Sequence, residues 1–245
     1  SCVASRNKRG VSHSQMAGAT PSSPEASTNG TMLITIAYLG NIQYFGKLVR
    51  GARIEACENF QKQTYRNRAE VMTAAGVQTL TVPVVWDHRA KMPIREVRID
   101  YTLPWQHEHW RTLRAAYAAA PYFDHYAEKL APFFDPRIYR PERLFDLNSD
   151  LTRLLLHLFG LPEHLTFTDE YTAPTPLDTA AEAGDFRDIL SHKPRLRRPD
   201  PTFAAPEYYQ VFADRIPFAP NLSAIDLLFC EGPQTGQIIQ ESIKP

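Results

Sequence analysis

Short apolar runs separated by turn signals fill the first hundred residues, and helical stripes fill the middle of the chain. Residues 33–39 (Leu-Ile-Thr-Ile-Ala-Tyr-Leu) are a run closed by Gly40-Asn41, the pattern of a buried strand. Ile42, Phe45, Leu48 and Val49 then recur at helical spacing, with Gly51 as C-cap. Residues 53–57, Arg53 to Cys57, read as a second short strand. This β-α-β order predicts neighbouring parallel strands. Glu70–Met72 and Val77–Val85 flank Ala74-Ala75-Gly76 like a hairpin, with Pro83 at an edge or strand end. Ile94–Asp100 alternates apolar and charged residues with period two, which predicts a half-exposed strand.

From Trp105 onward the period changes. Trp110, Leu113, Ala116 and Tyr117 share one helical face, and Pro121 opens a helix with Phe123, Tyr126 and Leu130 inward. Residues 144–159 carry Leu151, Leu154, Leu155 and Leu158 as a stripe that stops at Gly160 and Pro162. Residues 165–168 read as a strand, 185–190 as a short helix, and 208–212 as either helix or strand. Residues 221–233 read as a helix ending at Gly232-Pro233, capped by Asn221 or Ser223, with one acid, Asp226, in an apolar run.

Residues 1–31 hold almost no large apolar side chains, so burial cannot offset their ordering entropy, and they read as a disordered leader. The expected organisation is one domain over 32–245, sheet-rich over 32–104 and helix-rich over 105–245. The fold class is α/β or α+β, with a mixed sheet and a mainly helical second part. Lys plus Arg equals Asp plus Glu, 27 against 27, so no general nucleic-acid or acidic-membrane surface is expected. Arg195, Arg197 and Arg198 are the one local basic cluster, which reads more readily as a solvated loop than as a phosphate contact. Three cysteines, Cys2, Cys57 and Cys230, form neither a disulfide framework nor a metal set, which points to a reducing, cytoplasmic setting. No apolar run reaches the ~18 residues a spanning helix needs, so no membrane partner is expected.

Several residues have the chemistry for a site. Arg66 and Arg68, within Tyr65-Arg-Asn67-Arg68, form either a two-guanidinium clamp for phosphate or carboxylate or a salt-bridged hairpin flank. His107 and His109 flank Glu108; a histidine beside a carboxylate can serve as general base, while the lack of a third ligand speaks against metal. Trp110 is a core residue or a sugar-stacking one. Asp226 is either a first-turn carboxylate favoured by the helix dipole or the partner of an arginine or of His109. Asp185, Arg187 and Lys193 read as a surface salt bridge or a substrate loop. No Gly-x-Ser-x-Gly elbow, Walker loop or dinucleotide fingerprint occurs, so serine hydrolases, P-loop NTPases and NAD dehydrogenases lose ground.

Four blocks carry a resemblance. They are residues 37–45 (Ala-Tyr-Leu-Gly, then Ile-Gln-Tyr-Phe), residues 58–68 running into 80–84, residues 105–123 with His109-Trp110, and residues 209–233. In order and spacing the chain resembles the WbqC-like family across about 33–233. That resemblance implies a bacterial surface-polysaccharide (O-antigen) setting and a group-transfer enzyme that moves an acyl or aminoacyl group onto an amine of a nucleotide-activated sugar. Residue chemistry taken with that setting makes His109 the base and Asp226 its orienting partner, both catalytic, with Tyr38, Gln43, Tyr65, Arg66, Asn67, Arg68, Trp110 and Asn221 binding substrate. The expected partner is a small-molecule substrate; the donor is a coenzyme-bound acyl group or a charged tRNA, the balanced charge arguing against the tRNA, and the cofactor is unknown. The β-α-β start is also similar to Rossmann-like nucleotidyltransferases, but the His-x-Gly-His motif is missing between Asn41 and Lys47. Nucleotidyl transfer and a non-catalytic binding role stand as alternatives.

Overall fold

The computed structural model describes residues 32–86, 91–191 and 198–244. The proposed leader over 1–31 and the arginines at 195 and 197 lie outside the described residues. The fold is mixed α/β, with one parallel and one antiparallel two-stranded ladder and six α-helices among the described residues.

β1 (Leu33–Ile34) and β2 (Arg53–Ile54) pair in parallel, in the register Leu33 to Arg53 and Ile34 to Ile54, and α1 (Ile42–Val49) joins them. Single parallel bridges extend this core on both sides, Leu33 with Asp185 and Ile54 with Phe167. The expected strand at 165–168 is therefore a pairing partner of β2, through Ile54 N–H to Thr166 O and Thr168 N–H to Ile54 O. The ladder is much shorter than the 33–39 run: pairing with β2 ends at Ile34, Tyr38 N–H goes to Tyr65 O instead, and the chain turns at Leu39 (φ +42°).

β3 (Arg68–Thr73) and β4 (Gly76–Thr81) form the hairpin. Its turn needs a left-handed residue, and Gly76 supplies it at φ +100°. The alternating segment 94–100 departs from expectation. Pro93 (φ −56°) leads into a 3-10 turn over Ile94–Glu96, after which Arg98 and Ile99 make only isolated bridges. The apolar residues still point inward, since Ile94, Val97 and Ile99 are buried, but their spacing is that of a turn followed by an extended stub.

Four helices fall where the sequence predicts them, α2 (Trp105–Tyr117), α3 (Phe123–Leu130), α4 (Leu144–Leu158) and α5 (Ala224–Glu231), and a further one, α6 (Thr235–Glu241), was not expected. α5 lies at the centre. Every residue from Ala224 to Cys230 is buried, as expected for a helix that is apolar nearly all round. Gly232 ends it at φ +57°, where a Cβ would lie 2.5 Å from the Tyr122 ring. One hydrophobic cluster runs from Ile34 to Ile239, and a small satellite of Met72, Phe212 and Leu222 sits beside it.

Two further expectations fail. Residues 185–190 are turns rather than a helix, because Asp185 is held extended by its bridge to Leu33 and its side chain is engaged by Arg187 and Thr175. Residues 208–210 are neither helix nor strand; Tyr208 and Gln210 use their side chains instead of a ladder.

Candidate functional site

In open α/β sheets ligands bind in the crevice outside the carboxyl ends of the strands. Here the residues just beyond the paired positions are Thr35 after β1, Glu55 and Glu58 after β2, Thr168, and the Asp185–Arg187 corner. Two cavities open at this end. They are neighbours, since Tyr65 lines one and Arg66 the other, and Ile189–Ser191 lines one and Arg187–Asp188 the other.

The larger cavity, about 400 Å3, lies at the N-terminus of α1. Gln43, Tyr65 and Asn221 line it, joined by Asn41, Glu70, Arg198 and Asp200. Tyr65 Oη donates to Glu70 Oε2 at 2.8 Å. Gln43 Nε2 donates to Asp200 Oδ2 at 2.7 Å, and Asn221 Nδ2 donates to Gln43 Oε1 at 3.1 Å. Behind this lining, Lys47 Nζ meets Asp200 Oδ2 at 2.7 Å with both side chains almost wholly buried. Burial pushes Asp200 up, but the bonds from Lys47, Thr202 and Gln43 outweigh it and hold the carboxyl below its usual range.

The first amides of α1 do not face this cavity as free donors. Ile42 N–H goes to Leu222 O, Gln43 N–H to Asn221 Oδ1 and Tyr44 N–H to Asn41 Oδ1. Asn221, one of the two residues expected to cap α5, instead accepts Gln43 N–H at the start of α1, beside its N-cap Asn41. Ser223, the other expected cap, donates its hydroxyl to Leu39 O. An anion cradle of backbone amides, which nucleotidyl transfer at Gly40 would use, is thus filled by the protein itself. A Cβ at Gly40 would fall 2.3 Å from the Tyr44 ring, so Gly40 serves close packing. Two non-glycine residues with left-handed backbones, Leu39 (φ +42°) and Asn221 (φ +55°), flank this corner. Strain of that kind is a mark of functional corners.

The smaller cavity, about 190 Å3, is lined by Glu58, Arg66, Arg187 and Asp188 with Tyr171 and Phe60. Arg66 binds Glu58 through Nε (2.8 Å) and Nη2 (2.6 Å), and Thr35 Oγ1 donates to Glu58 Oε1 at 2.5 Å. Arg187 binds Asp185 through Nε (2.8 Å) and Nη2 (2.6 Å) and reaches Glu55 Oε2 at 3.5 Å. The expected surface trio at 185–193 is therefore a buried pair, with Lys193 outside the described residues. Burial raises Asp185, but the bonds from Arg187 and Thr175 outweigh it and leave the carboxyl lowered.

The other sequence-derived residues occupy separate places. His109 is buried; its Nδ1 and Tyr38 Oη are 2.8 Å apart, and Trp105 packs edge-on to the ring. Burial pushes its pKa down to about 4, against a smaller opposing effect of the Thr81 main chain. Asp226 meets neither an arginine nor His109. It accepts from Tyr117 Oη (2.6 Å), Tyr208 Oη (2.6 Å) and Gln210 Nε2 (3.3 Å), and burial raises its pKa despite these three bonds. Asn67 donates Nδ2 to Val82 O across the hairpin base. Arg68 starts β3 and lines neither cavity, so Arg66 and Arg68 do not form a clamp. Trp110 stacks on Phe123 and Phe134, in the core reading. Cys57 is only half-buried, whereas Cys230 is buried and its thiol is pushed up, by burial first and the Asp226 charge second.

Sequence reasoning missed Glu58, Glu70 and Asp200. Glu58 had a signal, an acid eight residues before Arg66 in the same block. Glu70 also had one, sitting five residues after Tyr65. Asp200, between two prolines, had none. Among the described residues no three His, Cys, Asp or Glu gather as metal ligands, and no helix is long and apolar enough to cross a membrane.

Comparison with known proteins gives three findings. The WbqC-like protein family model matches residues 38–183. The uncharacterized protein Rv1507c of Mycobacterium tuberculosis (strain ATCC 25618 / H37Rv) is 41% identical over 115 residues, 46% of this chain and 47% of the relative, so the match spans about half the relative's length. No solved structure matches the chain.

Proposed function

The chain belongs to the WbqC-like protein family, and from that premise we propose that it is a transferase placing an acyl or aminoacyl group on the amine of a small polar acceptor. The acceptor class is a nucleotide-activated amino sugar of surface-polysaccharide synthesis. The observation that carries this reading is the larger cavity at the carboxyl end of the parallel pair, walled by Gln43, Tyr65, Glu70, Asp200 and Asn221. Its lining offers amide and hydroxyl groups for sugar hydroxyls and carboxylates for an ammonium.

In this reading the acceptor amine lies against Glu70, whose carboxylate Tyr65 holds at 2.8 Å. Glu70 accepts the amine proton, the neutral nitrogen attacks the acyl carbon, and the donor's leaving group departs. Gln43 and Asn221, already bonded to each other, position the sugar. His109 supports Tyr38 from inside the core, and Asp226 ties α5 to α2 through Tyr117. The test is incubation with nucleotide-linked amino sugars and acyl donors, read as a mass gain on the acceptor. A Glu70→Gln variant is expected to lose about 10²-fold or more of the rate; an unchanged rate rejects Glu70 as the base.

A second reading, a non-catalytic binding protein, is favoured by one observation. Arg66, His109 and Asp226 lie in three separate hydrogen-bond networks rather than one. Saturable binding of the sugar nucleotide without a mass gain from any donor would select it.

A further inference from the structure

The smaller cavity has an arrangement of charge that the transfer reading does not use. Arg66 is buried at 1% exposure, yet it commits only Nε and Nη2, both to Glu58. Its Nη1 makes no hydrogen bond among the described residues and is not one of the fully buried unpaired atoms, so it keeps contact with the space that Arg66 lines. A guanidinium nitrogen that still faces the cavity can take a ligand carboxylate through a charge-assisted hydrogen bond. Across the same cavity stands Asp188, half-buried, with no hydrogen bond or ion pair among the described residues and no ion pair to Arg66. The other two charged side chains in the wall are satisfied: Glu58 by Arg66 and Thr35, and Arg187 by Asp185, Thr172 and Ala173. The cavity therefore presents one open donor and one open carboxylate that do not meet each other.

We propose that this cavity binds a free α-amino acid, with its carboxylate on Arg66 Nη1 and its ammonium on Asp188. The volume of about 190 Å3 suits a small side chain such as that of glycine, alanine or serine, and it falls below the ~300 Å3 at which sites for larger ligands begin. The free acid is specified, because esterification would remove the charge that Arg66 receives. The inference stands apart from the transfer reading, which concerns the neighbouring cavity.

The experiment is calorimetric titration of the full chain with glycine, L-alanine and L-serine, and with acetate, methylamine and glycine methyl ester as half-ligands. Saturable binding of at least one zwitterion is expected, with each half-ligand weaker by about tenfold or more, the loss of one charged hydrogen bond. Asp188→Asn, a change at a half-exposed residue without a partner, is expected to keep the fold, weaken the zwitterion about tenfold and leave acetate unchanged. No saturable heat with any of the three amino acids, equal binding of glycine and its methyl ester, or an unchanged affinity in Asp188→Asn would each overturn the proposal.

Discussion

His109 shows how a residue can carry the chemistry of a base without its setting. In the helix Trp105–Tyr117 it points inward to Tyr38, while His107, two positions earlier, is exposed. Its pKa of about 4 against an ordinary 6.5 means the folded state holds it neutral, whereas the unfolded chain protonates it below 6.5. The stability from that difference is complete above pH 6.5 and is lost as pH falls toward 4, in total about 3 kcal/mol. Urea unfolding at pH 7 and pH 4 is expected to show this loss, and His109→Asn to reduce the pH difference by a similar amount. Asp226 is the reverse case. The sequence marked it correctly as a costly buried acid, but not its partners, because Tyr117 and Tyr208 lie 109 and 18 residues away. Asp226→Ala would strand two buried tyrosine hydroxyls and is expected to cost about 2–4 kcal/mol in chemical denaturation. Its raised pKa adds a slope of opposite sign: ionising Asp226 in the fold destabilises it, so this group's contribution falls as pH rises above the ordinary 3.8.

At the scale of elements, the long helices, the hairpin and the parallel pair were legible, while the segments 94–100 and 185–190 and the last helix, α6, were not. α2, α3 and α4 follow stripes of Leu, Tyr and Phe over two or more turns, which give the period time to declare itself. The segments 94–100 and 185–190 are too short for that, and a proline or an ion pair decides them. The role of Asn221 was legible only as a capping residue type. The helix whose first turn it supports is α1, through Gln43 N–H, 178 residues away and beside the N-cap Asn41. Asn also tolerates the left-handed backbone at φ +55°. Asn221→Ala should therefore lose this bond and add strain, about 1–2 kcal/mol. Asn221→Gly should lose less, because glycine removes the strain. Thermal unfolding of both variants checks the order; an equal loss would reject the strain component.

For the whole molecule, the segments behind the resemblance build one end of the parallel pair, though the family match covers 38–183 and leaves the fourth segment, 209–233, outside it. Block one gives Gln43, block two gives Glu58, Tyr65 and Arg66, and block four gives Asn221. Block three, with His109 and Trp110, supplies the wall behind them rather than the opening. The site was half legible for this reason. Residue types showed which segments carry polar groups, while the choice among them depends on contacts between residues 43, 65, 70, 200 and 221 that no local pattern encodes. The most direct measurement is the mass of a nucleotide-linked amino sugar after incubation with acyl donors and either the wild-type chain or Glu70→Gln. The account predicts a mass gain of one acyl group with the wild type and a rate reduced about 10²-fold or more with the variant. Equal rates for the two proteins, or no gain with any donor despite bound acceptor, would contradict it.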